Sequence, residues 1–584
     1  MMRHAPHDMC RRVMPWLCAT AMLWCGCSGP ILRPQSPEAS LELPPMPDVK
    51  YVSAHTHPFG MNYVKVEGVS LVTGLAGTGS DPPPTPQRAA LLAEMNRRQV
   101  DNPNEVLASM NTSLVLARVF LRPGIQEGER VDVEVRTPTQ NETTSIRDGW
   151  LLPTRLTEMA VLGEQIRAGH VMAIAAGAVL VDPSADPKKN SALATRGRIL
   201  GGAVVLKSRP LGLVINHQHK SIRISQQIAN AINRRFFTFI NGRKQGVATP
   251  KTDEFIDLVI HPRYKDNVAR YMQLVANLAI DETAGQRQDR LQFLEQQLRD
   301  PLTSATAAMR LEAIGDDQAK EILRHGVAST DLEARFYAAE ALAYLDDTAA
   351  VIPLAEVARH EPAFRVNALA AMSAMDDVMA YDALRSLLEV RSAETRYGAF
   401  RALWAMNDHD PFVRGERLND QFHYHVLDVP GPNMIHVTWS HVPEVVLYGK
   451  DQEFKLPMVL DAGRNIMVNG LSGGKITVSK FATGSDPQQR TTSARVDEVI
   501  RAIVELGGTY PDVVQALQQA RSDGALVSRF EVDALPQPGR AYDRHATDFS
   551  TDDAGTTEPD EPAGNQGAPL EVASPLPNLF THER

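Results

Sequence analysis

Apolar and polar positions alternate in short runs between residues 60 and 285, recur at helical spacing over the next hundred or so, and alternate again after about residue 412. Leu114-Val-Leu-Ala-Arg-Val-Phe-Leu121, Val131-Asp-Val-Glu-Val135, Val171-Met-Ala-Ile-Ala175, Ala178-Val-Leu-Val181 and Ala203-Val-Val-Leu-Lys207 are β-branched runs bounded by Gly or Pro, which predicts strands. Three helices are expected among them. One runs from Pro86 to Arg98, one from Ile224 to Phe237 behind Ser221, and one from Tyr264 through Val275 towards Ile280. The run Val171 to Val181 contains Gly177 and lacks the length to span a bilayer, so it reads as core.

In the middle of the chain one pattern returns about every 30 residues. Arg335-Phe-Tyr-Ala-Ala-Glu-Ala-Leu-Ala-Tyr-Leu-Asp-Asp347 is echoed from Arg365 to Asp377 and from Arg396 to Asp408, with a fainter copy ending at Asp316-Asp317. A period of this size at helical spacing predicts a solenoid of helical pairs, each burying its apolar stripe only against its neighbours. Beyond it, strands are expected at 445–448, 455–459, 465–468 and 475–481, helices from Thr492 to Leu506 and Tyr510 to Asp523, and a closing strand at 527–532. The fold class is α+β, a mixed strand and helix body split by an all-α HEAT-type insertion.

Composition changes the picture mainly at the two ends. All four cysteines, Cys10, Cys18, Cys25 and Cys27, precede residue 28, behind Arg11-Arg12 and an apolar run from Val13 to Trp24. This is the layout of an export signal. It has the form of a lipoprotein signal with Cys27 as the acylated residue, although Trp24 and Cys25 depart from the usual box and plain secretory cleavage stays open. Either way no intrachain disulfide is expected to hold the mature chain. The expected division is a signal over 1–27, a Pro-rich tether over 28–59, an α+β part over 60–285, repeats over 286–410, a second α+β part over 411–535 and a disordered acidic tail over 536–584. A net charge of -10 argues against a general nucleic-acid binder. The cluster Arg234-Arg235 with Arg243-Lys244 is expected to be a solvated face.

The flanks of the repeat resemble the flagellar basal-body P-ring protein family. The resemblance is carried by Val69-Ser-Leu-Val-Thr-Gly-Leu-Ala-Gly-Thr-Gly79, the strand pair within 111–135, Ser145 to Thr154, His170 to Gly177, Gly197 to Val204, Ser225-Gln-Gln-Ile-Ala-Asn-Ala-Ile-Asn-Arg-Arg235 and the closing segment 496–526. It implies a non-enzymatic, periplasmic ring subunit around the flagellar rod, near the outer membrane and peptidoglycan. Its partners would be further copies of itself, rod proteins and outer-membrane ring proteins, with a partner unspecified for the repeats and membrane contact only through a lipid on Cys27. The ring would close through head-to-tail contacts. The repeat insertion and the lipoprotein-type signal depart from the family pattern, which leaves open an envelope lipoprotein, a scaffold or binding module, that reuses the fold outside the flagellum.

Residues with chemical potential have structural alternatives. Gly470-Leu-Ser-Gly-Gly474 has the spacing of a nucleophile elbow, but a strand follows it, so a hairpin turn is expected. Gly74, Gly77 and Gly79 lack the Lys-Ser or Lys-Thr of a phosphate loop and read as turn glycines. The pairs His55/His57, His217/His219 and His423/His425 have no evident third ligand. Arg335, Arg365 and Arg396 are expected to bond helix ends or Asp346 and Asp376 rather than form a basic ladder. Catalytic, cofactor and metal residues are not expected.

Overall fold

The computed structural model describes residues 49–162, 165–182, 185, 191–471, 473–481, 486–544, 570–571 and 573–579. Its first unit is a closed antiparallel barrel with strand order Val64–Thr73, Ser113–Leu121, Arg130–Arg136, Arg196–Val205, Gln165–Ala178, Trp150–Leu162 and back to the first. Alternation along Ser113–Leu121 turns Val115, Ala117, Val119 and Leu121 inward, each at most 1% exposed, and leaves Phe120 outside. The run from Val171 to Ala178 is therefore barrel wall, whereas Val179 to Val181, expected to be a strand, lies past the strand's end with an isolated bridge from Leu180 to Arg198; Val64–Thr73, read only as part of a glycine-rich opening, is a strand of the same wall. Among the described residues no helix is long and apolar enough to cross a membrane.

Beside the barrel lies a four-stranded sheet, Ala248–Pro250, Phe255–Leu258, Leu211–Ile215 and Thr56–Phe59 in that order. The helix Ile222–Arg235, capped by the Ser221 hydroxyl, buries Ile228, Ala229 and Ile232 in the same core. The expected third helix is shorter than its apolar pattern. Asn267 caps it at the start and Asn277 ends it, so it spans Val268–Ala276, and Ala279–Asp281 leaves it as a strand. That strand pairs with Lys50–Tyr51. The tether expected over 28–59 is thus corrected at 49–59, where Val49, Tyr51 and Val52 are buried and Thr56–Phe59 is a sheet strand. Residues 28–48 lie outside the described residues, as do the four cysteines.

Eight helices form the repeat: Ala284–Leu298, Pro301–Ile314, Asp317–Val327, Leu332–Tyr344, Val351–His360, Pro362–Ser373, Val378–Leu387 and Ala393–Met406. The Asp pairs that mark the period are helix starts. Asp316 accepts from the Ala319 N–H and Asp377 from Met379, so each satisfies an orphan donor of the helix it begins, while Asp347 accepts from Ala349 in the 3-10 turn Thr348–Ala350 that leads into Val351–His360. The helices Leu332–Tyr344, Pro362–Ser373 and Ala393–Met406 are buried almost all round, which requires cover on two sides. One apolar cluster runs without interruption from Val52 through the repeat to Tyr448.

After the repeat comes a mixed five-stranded sheet, ordered Glu416–Leu418, Phe422–Leu427, Glu444–Tyr448, Met434–Val437 and Arg529–Val532. A four-stranded meander, Met458–Ala462 to Gln488–Ser493, and the helices Val496–Glu505 and Tyr510–Ser522 share its second core. Thr492 and Ser493, expected to be helical, pair instead with Ile476 and Lys475 at the meander edge. Ile466–Gly470 and Lys475–Lys480 are antiparallel neighbours, so the glycine-rich segment between them is a hairpin connection, as expected.

Candidate functional site: the inner face of the helical repeat

Counting from each repeat arginine identifies one face of the solenoid. Two positions on stand Tyr337, Asn367 and Gly398, and five positions on stand Glu340, Ala370 and Arg401, which i and i+3 spacing places together. The arginines themselves are structural. Arg365 Nε donates to the Ala358 carbonyl and Arg396 Nε to the Leu388 carbonyl, each closing the end of the preceding helix, while Arg335 reaches Ser329 O after the helix Asp317–Val327. The alternative pairing with Asp346 or Asp376 does not occur for these three. Asp346 is paired with Arg263.

The inner face is covered by the C-terminal segment of the same chain. Pro536 packs on Gly398, where an added Cβ would stand 2.6 Å from the proline Cγ. Arg540 then pairs with Glu394, the Tyr542 ring lies 4.9 Å from Phe364, and Arg544 pairs with Glu333. Residues 573–579 return along the same face. Asn367 and Asn267 both donate to the Pro575 carbonyl, at 3.1 and 3.4 Å, the Ser574 hydroxyl donates to Glu340, and Leu579 is 3% exposed. The disordered tail expected over 536–584 is corrected for 536–544 and 573–579, whose prolines, Tyr542 and Leu579 find an apolar and amide-lined surface that composition alone does not reveal.

Buried charge fixes the repeat to what precedes it. Arg270, on the helix Val268–Ala276, places Nε 3.1 Å from Glu312 Oε2 and Nη1 2.9 Å from Glu340 Oε2, and all three side chains are at most 2% exposed. The Tyr264 hydroxyl donates to Glu312, and Tyr344 lies beneath the guanidinium at 4.7 Å. Burial opposes charge on Arg270, yet Glu312 and Glu340 outweigh it and hold the guanidinium protonated.

A second cluster fixes the far end. Glu444, fully buried on a sheet strand, accepts from Arg401 Nη1 at 3.2 Å and the Tyr397 hydroxyl at 2.6 Å, both on the last repeat helix. Burial raises the Glu444 carboxyl, but Arg401, His425 and Tyr397 together hold it below the usual carboxylate range. His425 Nδ1 lies 2.7 Å from the Val413 carbonyl, and the His436 ring stacks 3.7 Å above Tyr397 while Nε2 accepts from the Ala534 N–H.

Burial, opposed by Glu444, pushes His436 down to about 3 and, with help from His423, His425 to about 4. An imidazole with a lowered folded pKa contributes stability that is fully present above the unfolded value near 6.5 and is lost as pH falls towards the folded value. His436→Gln keeps an acceptor for the Ala534 N–H and is expected to flatten the acid limb of stability by about 1.4 kcal/mol per pH unit between about 6 and 4. Asp132, raised to about 7 by burial despite N–H bonds from Gly201 and His441, titrates with the opposite sign. The comparison with the parent chain therefore isolates His436. Chemical unfolding of both proteins across that range provides the check, and equal slopes would contradict the assignment.

The remaining candidates are placed plainly. His55 and His219 meet at 4.4 Å between ring centroids and His57 contacts Asn216, while among the described residues no three His, Cys, Asp or Glu side chains gather as a metal set. Gly74 and Gly77 have φ of 80° and 75°, and a Cβ on Gly79 would lie 2.0 Å from the Thr112 carbonyl, so these are turn and close-approach glycines. The basic cluster is partly consumed, since Arg235 donates to the Glu312 and Ala313 carbonyls. Arg270, Glu312 and Glu444 are not among the candidates read from the sequence, although charged residues inside otherwise apolar elements mark both Glu312 and Glu444.

Residues 55–289 match the family model described as flagellar P-ring protein, and residues 291–375 match HEAT repeats. The flagellar P-ring protein of Thermotoga maritima is 27% identical over 223 residues, covering 36% of this chain and 61% of the relative. That of Caulobacter vibrioides is 26% identical over 233 residues, covering 39% and 62%, and that of Photorhabdus laumondii 28% over 232, covering 37% and 58%. The chain thus spans roughly three-fifths of the length of these curated relatives, and the segment 496–526 lies beyond the matched family region. The region that holds the barrel and the sheet beside it, residues 55–289, is therefore similar to flagellar P-ring proteins, and the region directly after it, residues 291–375, is similar to HEAT repeats.

Proposed function

We propose that this protein is a non-enzymatic structural subunit of a flagellar basal-body P ring, periplasmic, surrounding the rod and contributing to flagellum-dependent motility. The match of residues 55–289 to the P-ring family carries the proposal. Exposed apolar side chains on the hairpin Phe237–Ile240 and Arg243–Gly246, Phe239 at 69% and Ile240 at 52%, give a surface that a neighbouring copy would cover. The subunits associate head to tail with one another and then with rod and outer-membrane ring proteins, close to peptidoglycan. Cys27 carries the lipid that holds the chain at the outer membrane, and the repeat supplies a protein-binding face. Purified mature protein viewed by negative-stain electron microscopy is expected to form closed rings, and persistent monomers at high concentration would sink the proposal.

The HEAT region adjoining the family match favours one second possibility, an envelope scaffold that uses this fold outside the flagellum. Deletion of the gene separates the two. Loss of swimming with intact growth supports the ring, and unaltered motility supports the scaffold.

A further inference from the structure

We propose that the inner face of the repeat is a groove for an extended, proline-bearing peptide, and that residues 573–579 are its built-in competitor. The partner is a segment of another protein that presents a hydroxyl residue followed by proline, with an apolar residue four positions beyond the proline, as Ser574, Pro575 and Leu579 do.

The chemistry of the contact is that of peptide recognition. Two asparagine amides from different elements, Asn267 and Asn367, grip one backbone carbonyl, that of Pro575, and so read an extended main chain rather than a particular side chain. The Asn578 N–H donates to the Asp266 carbonyl at 2.7 Å, its side-chain oxygen accepts from the Val268 N–H at 3.4 Å, and the Ala573 N–H donates to the Tyr337 hydroxyl at 3.1 Å. Pro575 and Pro577 bring no N–H that would need a partner and favour the extended form beforehand, which lowers the ordering cost of binding. Proline-containing segments that dock in aromatic and amide-lined grooves use the same features.

Three of the groove's polar residues, Asn267, Glu340 and Asn367, are at most 2% exposed with the segment in place. Without an occupant the Asn267 and Asn367 amides lose the Pro575 carbonyl and Glu340 loses the Ser574 hydroxyl, which leaves a surface suited to a second ligand of the same kind. Because the resident segment belongs to the same chain, it competes at an effective concentration on the order of millimolar, and a free peptide must overcome that advantage. The groove is therefore quiet towards weak ligands and opens to a segment that matches it better or arrives in several linked copies. This proposal does not depend on ring assembly.

A fluorescent peptide spanning residues 570–582 tests it against the full chain and the full-length double variant Ser574→Ala/Leu579→Asp. The variant is expected to bind the peptide at least tenfold more tightly than the parent, and adding Asn367→Ala should reverse the gain by a similar factor. Equal weak binding to parent and variant would overturn the proposal. Should the double variant fold poorly by circular dichroism, full-length Ser574→Cys gives a second measurement. The rate of thiol labelling at position 574, taken as the excess over the parent, is expected to rise at least threefold with saturating unlabelled peptide. An unchanged rate would count as refutation.

Discussion

Replacing Arg270 with alanine is expected to cost the body about 3 to 5 kcal/mol or more, measured as the loss in unfolding free energy or a large fall in the midpoint of thermal unfolding. The cause is not the lost contact itself. Glu312 and Glu340, at 0% and 1% side-chain exposure, would be left as buried carboxylates without their shared cation, and the Tyr344 ring would lose the guanidinium above it. The apolar triple replacement Arg270→Met/Glu312→Leu/Glu340→Leu should therefore be less harmful than Arg270→Ala alone, since it strands no charge. A cost below about 1 kcal/mol for Arg270→Ala would mean that the cluster is hydrated rather than closed.

Glu444→Ala is expected to have a comparable effect at the other end, again about 3 to 5 kcal/mol. It leaves Arg401 without its carboxylate, deprives the Tyr397 hydroxyl of its acceptor and removes the charge that partly restores the pKa of His425. The damage should be localised as well as large. Hydrogen exchange is expected to accelerate in Ala393–Met406 and Phe422–Leu427 before it does so in the barrel, whose core is a separate cluster. Uniform acceleration across the chain, barrel included, would argue against a local junction.

The two largest effects thus lie at charged positions whose partners stand on other elements, a pairing that the sequence does not reveal, and the reason is physical. Strands such as Ser113–Leu121 and the helix Ile222–Arg235 were legible because burial on one side writes a period into the chain. The repeat was legible through its arginine and aspartate markers, whose roles as helix-end contacts and caps are local. Where cover comes from elsewhere in the chain the period fails. Leu332–Tyr344 is buried nearly all round because helices close one side and the C-terminal segment the other, so its sequence shows no clear stripe. The same distance hid the ends of the body. Lys50–Tyr51 has a strand partner at Ala279–Asp281, and 573–579 has partners near residue 267. The Thr492 boundary slipped for a smaller reason, since the polar edge strand Gln488–Ser493 carries no apolar alternation.

That return of both ends to one neighbourhood has a consequence for how the chain matures. Val268 and Asn578 are 310 positions apart yet hydrogen-bonded, so the groove is closed only once residues 573–579 become available. A chain still emerging from the ribosome offers Asn267 and Asn367 no Pro575 carbonyl and Glu340 no Ser574 hydroxyl, and the solenoid's inner helices stay wet on one side. Contacts of such separation are formed late and slowly. Final packing of the repeat is thereby tied to the synthesis of residues 573–579, some 310 positions after the helix start that they cover.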